Sequence, residues 1–251
     1  MRLISGIIVA RILIVVSVLV AWEAIVRMAY VNPRLLPPPS LVFVTLGQLF
    51  TQGKFERHLL TTCLEVATSF TISAPLGIVI GILLAQHVYF GKVFGPFVYF
   101  LVSIPKSIFL PIFILALGVG FSQKIAFGVV QAFFVIAVNS AFAVASVPSQ
   151  LILLGRSYGA STWQLYTKIY VPAMLPIVLE GIRLGMIFNI TGVILAEMYA
   201  AKGGLGFLIY SWADTFQMPH LFAGISVATL MSIIVNEGIR VYEKRVSKWR
   251  V

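Results

Sequence analysis

Long apolar runs follow one another along the whole chain, and they limit its fold more than any other feature. Each run has about 20 residues, the length that an α-helix needs to cross the hydrocarbon core of a bilayer. Of the 251 residues, 60% are hydrophobic and only 10% are charged, whereas about 25% of the residues in soluble domains are charged. The polar breaks between the runs are too short for a separate soluble domain. We therefore predict one all-α transmembrane domain over residues 1–251.

Six membrane spans are predicted from the hydropathy of windows of this length. The predicted spans are 7–28, 60–85, 94–117, 125–147, 172–195 and 221–241. The first run has the basic start and apolar centre of a secretory signal peptide. It nevertheless continues to Met28 without a clear cleavage site, so a retained first span is preferred.

The distribution of basic residues predicts the orientation of the spans. Lys and Arg close to span ends favour the cytoplasmic side. The C-terminal tail is therefore placed in the cytoplasm by Arg240, Lys244, Arg245, Lys248 and Arg250. With six spans the N-terminus lies on the same side, and the opposite side receives Arg34, Lys54, Arg57, Lys124 and Lys202. The net charge of +10 is thus interpreted as a topology signal, and no nucleic-acid partner is expected.

Prolines predict two irregular regions. Pro37, Pro38 and Pro39 are expected to end one helix, and Ser40 is expected to cap the next. The apolar segment 41–50 is too short to span and is expected to lie at the membrane interface. The third predicted span is expected to be kinked, because it contains Pro96, Pro105 and Pro111.

Ionisable residues within or at the ends of the spans are candidates for a translocation path, because charge is costly in a membrane and needs a partner or water. These residues are Glu65, Lys106, Glu180, Arg183 and Glu197. Glu180 and Arg183 are three residues apart on one helix face, and a mutual ion pair is slightly preferred for them. Two interpretations of Lys106 stay open: it attracts an anion in an aqueous path, or backbone carbonyls satisfy its ammonium.

The sequence offers little for catalysis. It has no G-x-x-x-x-G-K-[ST] phosphate loop, and His58, His87 and His220 are scattered. Ser107 beside Lys106 is the nearest approach to a nucleophile and a base, but adjacent residues point to different helix faces. We therefore expect no catalytic residues, no metal site and no directly bound cofactor.

One polar stretch, YGASTWQLYTKIYVP at residues 158–172, interrupts the apolar pattern between the fourth and fifth spans. Gly159 and Ala160 allow a tight turn. Ser161 and Gln164 have the spacing of a capping box, which predicts a short helix that begins near Thr162.

Aromatic residues then place a large contact area on this short helix. Trp163, Tyr166 and Tyr170 lie within eight positions of one another. A helix of this length is marginal alone, so it needs a partner surface. Pro172 is predicted to begin the fifth membrane helix at its first position.

Nine residues separate Gly159 from Ile169, and Val171-Pro172 follow after one more residue. This spacing resembles the EAA loop of binding-protein-dependent ABC importer permeases. The segments LPPPSLVFVTL, SIPKSIFLPIFILALGVGFSQK, GIRLGMIFNITGVILAEMYAAKGGLGFLI and LFAGISVATL are similar, in this order, to the nitrate/sulfonate/taurine branch of that family. The chain departs from the motif where the family has Glu-Ala-Ala. Here it has Leu153, Leu154 and Gly155, so the acidic residue that can face the ATPase is missing.

The resemblance implies a type I ABC importer permease fold in a cell inner membrane, with both termini cytoplasmic. It also implies a second copy of the permease as a homodimer partner, a cytoplasmic ATPase dimer that binds ATP and Mg, and an extracytoplasmic solute-binding protein. The loop at about 150–171 would couple the permease to the ATPase. Its predicted coupling residues are Arg156, Gly159, Ala160, Ser161, Thr162, Trp163, Gln164, Tyr166, Ile169 and Pro172.

The predicted substrate is a small anion, either organic or inorganic, such as a sulfonate, taurine, nitrate or bicarbonate. Lys106 and Arg183 suit an anion, and Glu180 and Glu197 complete the candidate path. The alternative is a stand-alone secondary transporter, which is expected to show two inverted halves with interrupted helices. The sequence shows no such internal symmetry.

Overall fold

The computed structural model describes residues 2–51, 53, 55–199 and 201–246, and every regular element within them is helical. The α-helices are α1 (Arg2–Arg27), α2 (Pro39–Thr51), α3 (Phe55–Gln86), α4 (Val88–Ser103), α5 (Leu110–Leu117), α6 (Phe121–Ala145), α7 (Ser149–Ser157), α8 (Thr162–Leu165), α9 (Val171–Tyr199), α10 (Leu205–Asp214) and α11 (Met218–Val246). A 3₁₀ turn at Lys106–Phe109 precedes α5, and a π-helical turn at Tyr166–Tyr170 joins α8 to α9.

Five stretches in the described part of the chain are long and apolar enough to cross a membrane. They are Val9–Arg27, Phe55–Gln86, Phe121–Ala145, Thr162–Tyr199 and Met218–Val241. A sixth is present if two bent segments form one span. The all-α prediction with about six spans is therefore confirmed. Lys54, Lys248 and Arg250, which the orientation prediction uses, lie outside the described residues.

The predicted third span is not one kinked helix. Val88–Ser103 and Lys106–Leu117 meet at 90°, and Ile104 and Pro105 between them have extended backbone conformations. Pro105 has no N–H for a helical hydrogen bond, and a residue before proline is disfavoured in the helical region. The other two prolines do not interrupt a helix, because Pro96 lies within α4 and Pro111 lies in the first turn of α5.

The core consists of α3, α6 and α9, which pack closely through small residues. A Cβ atom at Gly81 of α3 would overlap the Ala137 carbonyl of α6, and one at Gly185 of α9 would overlap Ile136. Close approach of helix backbones through glycine is the usual way to gain packing energy within a membrane. Glycine residues therefore allow the close packing of the three core helices.

The connection between α1 and α2 differs from the prediction that Ser40 caps a helix. Ser40 lies inside α2. Its N–H donates to Glu23 Oε2 over 3.0 Å, and its hydroxyl donates to Glu23 Oε1 over 2.8 Å. The α1 carboxylate therefore satisfies the start of α2, which replaces capping by Ser40. The apolar side of α2 packs with α10 and α11.

Candidate functional sites at the two ends of the core

The turn before α8 is built as the sequence predicts. Gly159 has φ +73°, a left-handed conformation that glycine adopts without steric cost. Its N–H donates to the Arg156 carbonyl over 2.9 Å, and the Ala160 N–H donates to the Gly155 carbonyl over 3.0 Å. The chain thereby reverses between α7 and α8.

The capping box at the start of α8 is also confirmed. The Gln164 N–H donates to Ser161 Oγ over 3.3 Å, and the Ser161 N–H donates to Gln164 Oε1 over 2.8 Å. Two backbone donors that lack helical partners are satisfied in this way. The helix begins at Thr162, where the sequence predicts it.

Pro172 is the second residue of α9, one position from the predicted first, but no break in the helix precedes it. Residues Thr162–Tyr199 form one continuous helical stretch of 38 residues, about 57 Å long at 1.5 Å per residue. Within the π-helical turn, the Val171 N–H donates to the Tyr166 carbonyl five residues earlier. We attribute the wider turn to Pro172, because a proline in a regular α-helix lacks a donor and clashes with the carbonyl four residues earlier.

A group of large side chains around this turn is exposed. Leu153 is 69% exposed, Leu154 54%, Tyr158 85% and Trp163 76%. We call these four residues the docking face. Most large apolar side chains of this chain can be covered by lipid or by other helices. Leu153, Leu154 and Tyr158 lie outside the long spans, and Trp163 is the second residue of the stretch Thr162–Tyr199.

Contacts beneath the docking face hold it to the core. Leu165 is buried, and the Tyr166 hydroxyl donates to Gln86 Oε1 of α3 over 3.0 Å. Gly155 allows α7 to lie close to the following helix, because a Cβ there would be 2.7 Å from Ile169 Cδ1 and from Leu165 Cδ2. In place of Glu-Ala-Ala, the chain thus has two exposed leucines and one glycine at a tight contact.

The opposite end of the core contains a buried polar cluster that holds the start of α10. The Glu197 carboxylate accepts hydrogen bonds from the Thr62 hydroxyl over 2.7 Å and from the Gly206 N–H over 2.8 Å. Thr62 Oγ1 accepts from the Leu205 N–H over 2.8 Å, and His58 Nδ1 accepts from the Gly204 N–H over 3.0 Å. Side chains of α3 and α9 therefore satisfy backbone donors that no helical carbonyl can reach.

Gly204 makes this arrangement sterically possible. Its φ is +112°, and a Cβ at this position would overlap the Glu197 carboxylate. Glycine is the residue that tolerates both this backbone conformation and this close approach.

A buried ion pair lies beside the same cluster. The Lys124 ammonium pairs with the Glu65 carboxylate, and both side chains are almost fully buried. Lys124 Nζ also donates to the Gly203 carbonyl over 3.5 Å. We call His58, Thr62, Glu65, Lys124 and Glu197 the anchor cluster. Lys124 directly precedes the predicted span 125–147, whereas in the structure it lies in the first turn of α6.

The other predicted path residues do not converge on the anchor cluster. The Arg183 guanidinium lies 3.7 Å from the Glu180 carboxylate, so the predicted pair is confirmed. It also lies 4.0 Å from the carboxylate of Glu243 in α11. Glu180 and Glu197 are 17 residues apart on α9, about 26 Å along the axis. Lys106 Nζ donates to the Val102 carbonyl over 3.2 Å and lies 5.8 Å from the Phe134 ring centroid. Of the two interpretations of Lys106, this geometry agrees with the one in which backbone carbonyls satisfy its ammonium.

These features define a multi-span membrane protein with an exposed, capped segment between two of its spans. The chain belongs to the family of binding-protein-dependent transport system inner membrane components, whose model matches residues 77–248. It is therefore a multi-pass inner membrane protein.

Relatives in this family carry different substrate names. The chain is 28% identical to the putative aliphatic sulfonates transport permease protein SsuC of Bacillus subtilis (strain 168), over 95% of this chain and 87% of that protein. It is 25% identical to the taurine transport system permease protein TauC of Escherichia coli (strain K12), over 92% and 86%. It is 29% identical to the formylaminopyrimidine transport permease protein ThiX of Halalkalibacterium halodurans (strain ATCC BAA-125 / DSM 18197 / FERM 7344 / JCM 9153 / C-125), over 92% of each.

A solved structure with the same fold is the MetNI methionine ABC transporter in an inward-facing conformation. The TM-score is 0.62 at 20% identity, over 79% of this chain and 96% of that one. The chain thus has the type I ABC importer permease fold. Its family and the permease relatives above identify it as a permease subunit rather than an enzyme. The predicted family and its nitrate/sulfonate/taurine branch are confirmed by the sulfonate and taurine relatives.

Proposed function

We propose that this chain forms the translocation path of an ATP-driven importer for a small organic anion, and that residues 150–171 couple the path to a separate ATPase. The observation that carries this proposal is the continuous helix Thr162–Tyr199. It joins an exposed, capped segment at one end of the core to the anchor cluster at the other. A force applied near Trp163 is transmitted along one helix, which suits rigid-body switching of access.

The proposed partners follow from the family. They are a second copy of this permease, an ATPase dimer that binds ATP and Mg, and an extracytoplasmic solute-binding protein. Residues 1–251 act as one domain with both termini in the cytoplasm, so that the docking face meets the ATPase on that side. The positive-inside bias of the sequence supports this orientation.

The contact with the ATPase is apolar where the family motif is acidic. Leu153 and Leu154 are exposed at that place, beside Tyr158 and Trp163. Full burial of a leucine side chain is worth about 1.5–3 kcal/mol, more than an exposed ion pair usually contributes at about 0–1 kcal/mol. The docking face therefore binds its partner through buried area and aromatic anchors, without the missing carboxylate.

The substrate class is proposed from the relatives. Two of them are named for aliphatic sulfonates and taurine, which share a sulfonate group, and a third is named for formylaminopyrimidine. A small organic sulfonate is the first candidate, and a formylated pyrimidine is the second because of the ThiX relative. Competition between the two solutes for uptake ranks them directly.

The coupling role is tested with the complete transporter in proteoliposomes, containing the permease, its ATPase and its binding protein. We expect Trp163→Ala to lower ATP-driven taurine uptake roughly tenfold, because a central aromatic anchor of an interface is worth about 1.4 kcal/mol or more. Tyr30→Ala is the matched control, because Tyr30 is 79% exposed but lies in the α1–α2 connection.

Three measurements decide the outcome. Membrane insertion of Trp163→Ala should equal that of the control, since Trp163 is mostly exposed. Equal uptake by the two variants would contradict the docking role. Uptake by the permease alone, without the ATPase, would instead support a stand-alone secondary transporter.

A further inference from the structure

A small cavity lies beside the anchor cluster, at the end of the core away from the docking face. It has a volume of about 260 Å³, below the usual range of about 300–1,000 Å³ for ligand pockets, and is lined by two leucines and by Phe55, His58, Trp212, Gln217 and His220. The size suits a small solute rather than a large cofactor.

Every polar side chain that lines the cavity carries at least one hydrogen-bond donor. His58 Nδ1 accepts the Gly204 N–H, so in a neutral imidazole the proton is on Nε2. Trp212 contributes an indole N–H and Gln217 an amide NH₂, and His220 has a ring N–H in either tautomer. No carboxylate lines the cavity among the residues that the structure describes.

The apolar part of the lining is an aromatic frame. The Phe55 and Trp212 rings are stacked with centroids 6.4 Å apart, and the Trp212 and His220 centroids are 5.7 Å apart. His58 stacks against Phe207 at 6.0 Å, which fixes its ring. An aromatic frame whose lining residues carry several N–H groups favours a ligand that has an apolar body and an acceptor-rich, negatively charged head.

We propose that this cavity is a binding site for a small organic anion, such as a sulfonate or a carboxylate. An anionic lipid headgroup has the same head chemistry, so the experiment separates the dissolved anion from the lipid. The choice of sulfonate as the probe rests on the proposed function, but the site itself rests on the residues that line it. An occupant in contact with His58 would lie one hydrogen bond from Gly204, and therefore next to the segment that the anchor cluster holds.

The site is tested by isothermal titration calorimetry of the full-length permease in nanodiscs of phosphatidylcholine. Benzenesulfonate is the probe, and benzenesulfonamide is its uncharged counterpart. We expect the sulfonate to bind roughly tenfold more tightly than the sulfonamide, because the donors complement its charge. Equal affinities, or no binding of the sulfonate, would overturn the proposal.

Two variants place the binding in the cavity. His220→Phe and Gln217→Leu each remove donors and keep the fold, since phenylalanine retains the packing of ring 220 against Trp212 and Gln217 is exposed. Each should weaken sulfonate binding roughly tenfold. His87→Phe, at the α3–α4 junction on the docking-face side, is the matched control and should bind as the unchanged protein does. Full binding by both cavity variants would overturn the proposal.

Replacement of a tenth of the lipid by phosphatidylglycerol, a fraction chosen for the assay, identifies the natural occupant. Unchanged sulfonate affinity assigns the site to the dissolved anion, whereas competition assigns it to the headgroup; both outcomes support an anion site. ATP-driven taurine uptake by the complete transporter is measured in parallel. Normal uptake together with absent sulfonate binding would reject this site and leave the proposed function intact.

Discussion

At the end of the core that carries residues 149–170, the side chains of Leu153, Leu154, Tyr158 and Trp163 are exposed, whereas at the other end the charged side chains of Glu65, Lys124 and Glu197 are buried. The docking face offers apolar and aromatic surface with few internal contacts. In the anchor cluster, the Glu197 carboxylate, the Thr62 hydroxyl and the His58 imidazole accept backbone N–H groups, and the Lys124 ammonium pairs with the Glu65 carboxylate. Both ends are attached to the same helix, α9 with its extension through α8.

The difference shows how one fold separates recognition from rigidity. Exposed side chains at the docking face are free to bury their area against a partner, and their loss leaves the folded chain largely unaffected. Buried ionic groups at the anchor cluster cannot lose a partner without a large cost, because an unpaired charge is left in a low-dielectric interior. Substitutions at the docking face should therefore affect transport, and substitutions at the anchor cluster should affect the free energy of unfolding.

The largest expected effect on stability is at Lys124. Lys124→Met leaves Glu65 buried and unpaired, and we expect a loss of about 3–5 kcal/mol in the free energy of unfolding. Thermal unfolding of the purified permease in detergent measures it. The double variant Glu65→Leu/Lys124→Met removes both charges and should recover most of the loss. A double variant as unstable as the single one would show that the ion pair is not the source of the effect.

The next largest effect is expected at Gly204. Gly204→Ala combines a strained φ with overlap onto Glu197, whereas Gly118→Ala has a strained φ of +73° and no neighbouring atom within 4 Å. The control should lose about 1–3 kcal/mol, because a residue with a Cβ is strained in this backbone conformation, and Gly204→Ala should lose about 1–3 kcal/mol more from overpacking. Equal losses in unfolding experiments would mean that the close approach to Glu197 is not a constraint.

A smaller and local effect is expected at the start of α8. Ser161→Ala removes the capping hydroxyl, which costs about 1 kcal/mol. Hydrogen exchange of the amides at residues 162–165 should accelerate, while overall unfolding changes little. Ser157→Ala is the matched control, because that hydroxyl donates to the Leu153 carbonyl within a helix and caps nothing. Similar acceleration in both variants would show that the capping box does not stabilise the start of α8.

The docking segment was predictable because its signals are local. The Ser161 and Gln164 capping box and the Gly159 turn each depend on residues within a few positions, and the structure has both. Pro172 lies one residue from its predicted place in α9, but the π-helical turn that joins α8 to α9 without a break has no clear sequence signature.

The anchor cluster was not predictable for the opposite reason. Thr62 and Leu205 are 143 residues apart and meet only through tertiary packing. The pairing of Glu65 with Lys124 likewise depends on how α3 and α6 align. A signal was nevertheless present, because Glu65 lies within a predicted span and needs a cation, and Lys124 lies next to the start of one.

The central claim is that α8 and α9 transmit force as one helix, and the ratio of taurine imported to ATP hydrolysed by the complete transporter tests it most directly. Thr167→Gly/Lys168→Gly softens the π-helical turn, since glycine costs about 1 kcal/mol per residue in a helix. Thr229→Gly/Leu230→Gly in α11 is the matched control, because Thr167 and Thr229 are both exposed and each hydroxyl donates to the carbonyl four residues earlier. We predict that the ratio falls severalfold in the first variant and changes little in the second. An unchanged ratio in the first variant, or an equal fall in both, would contradict the claim.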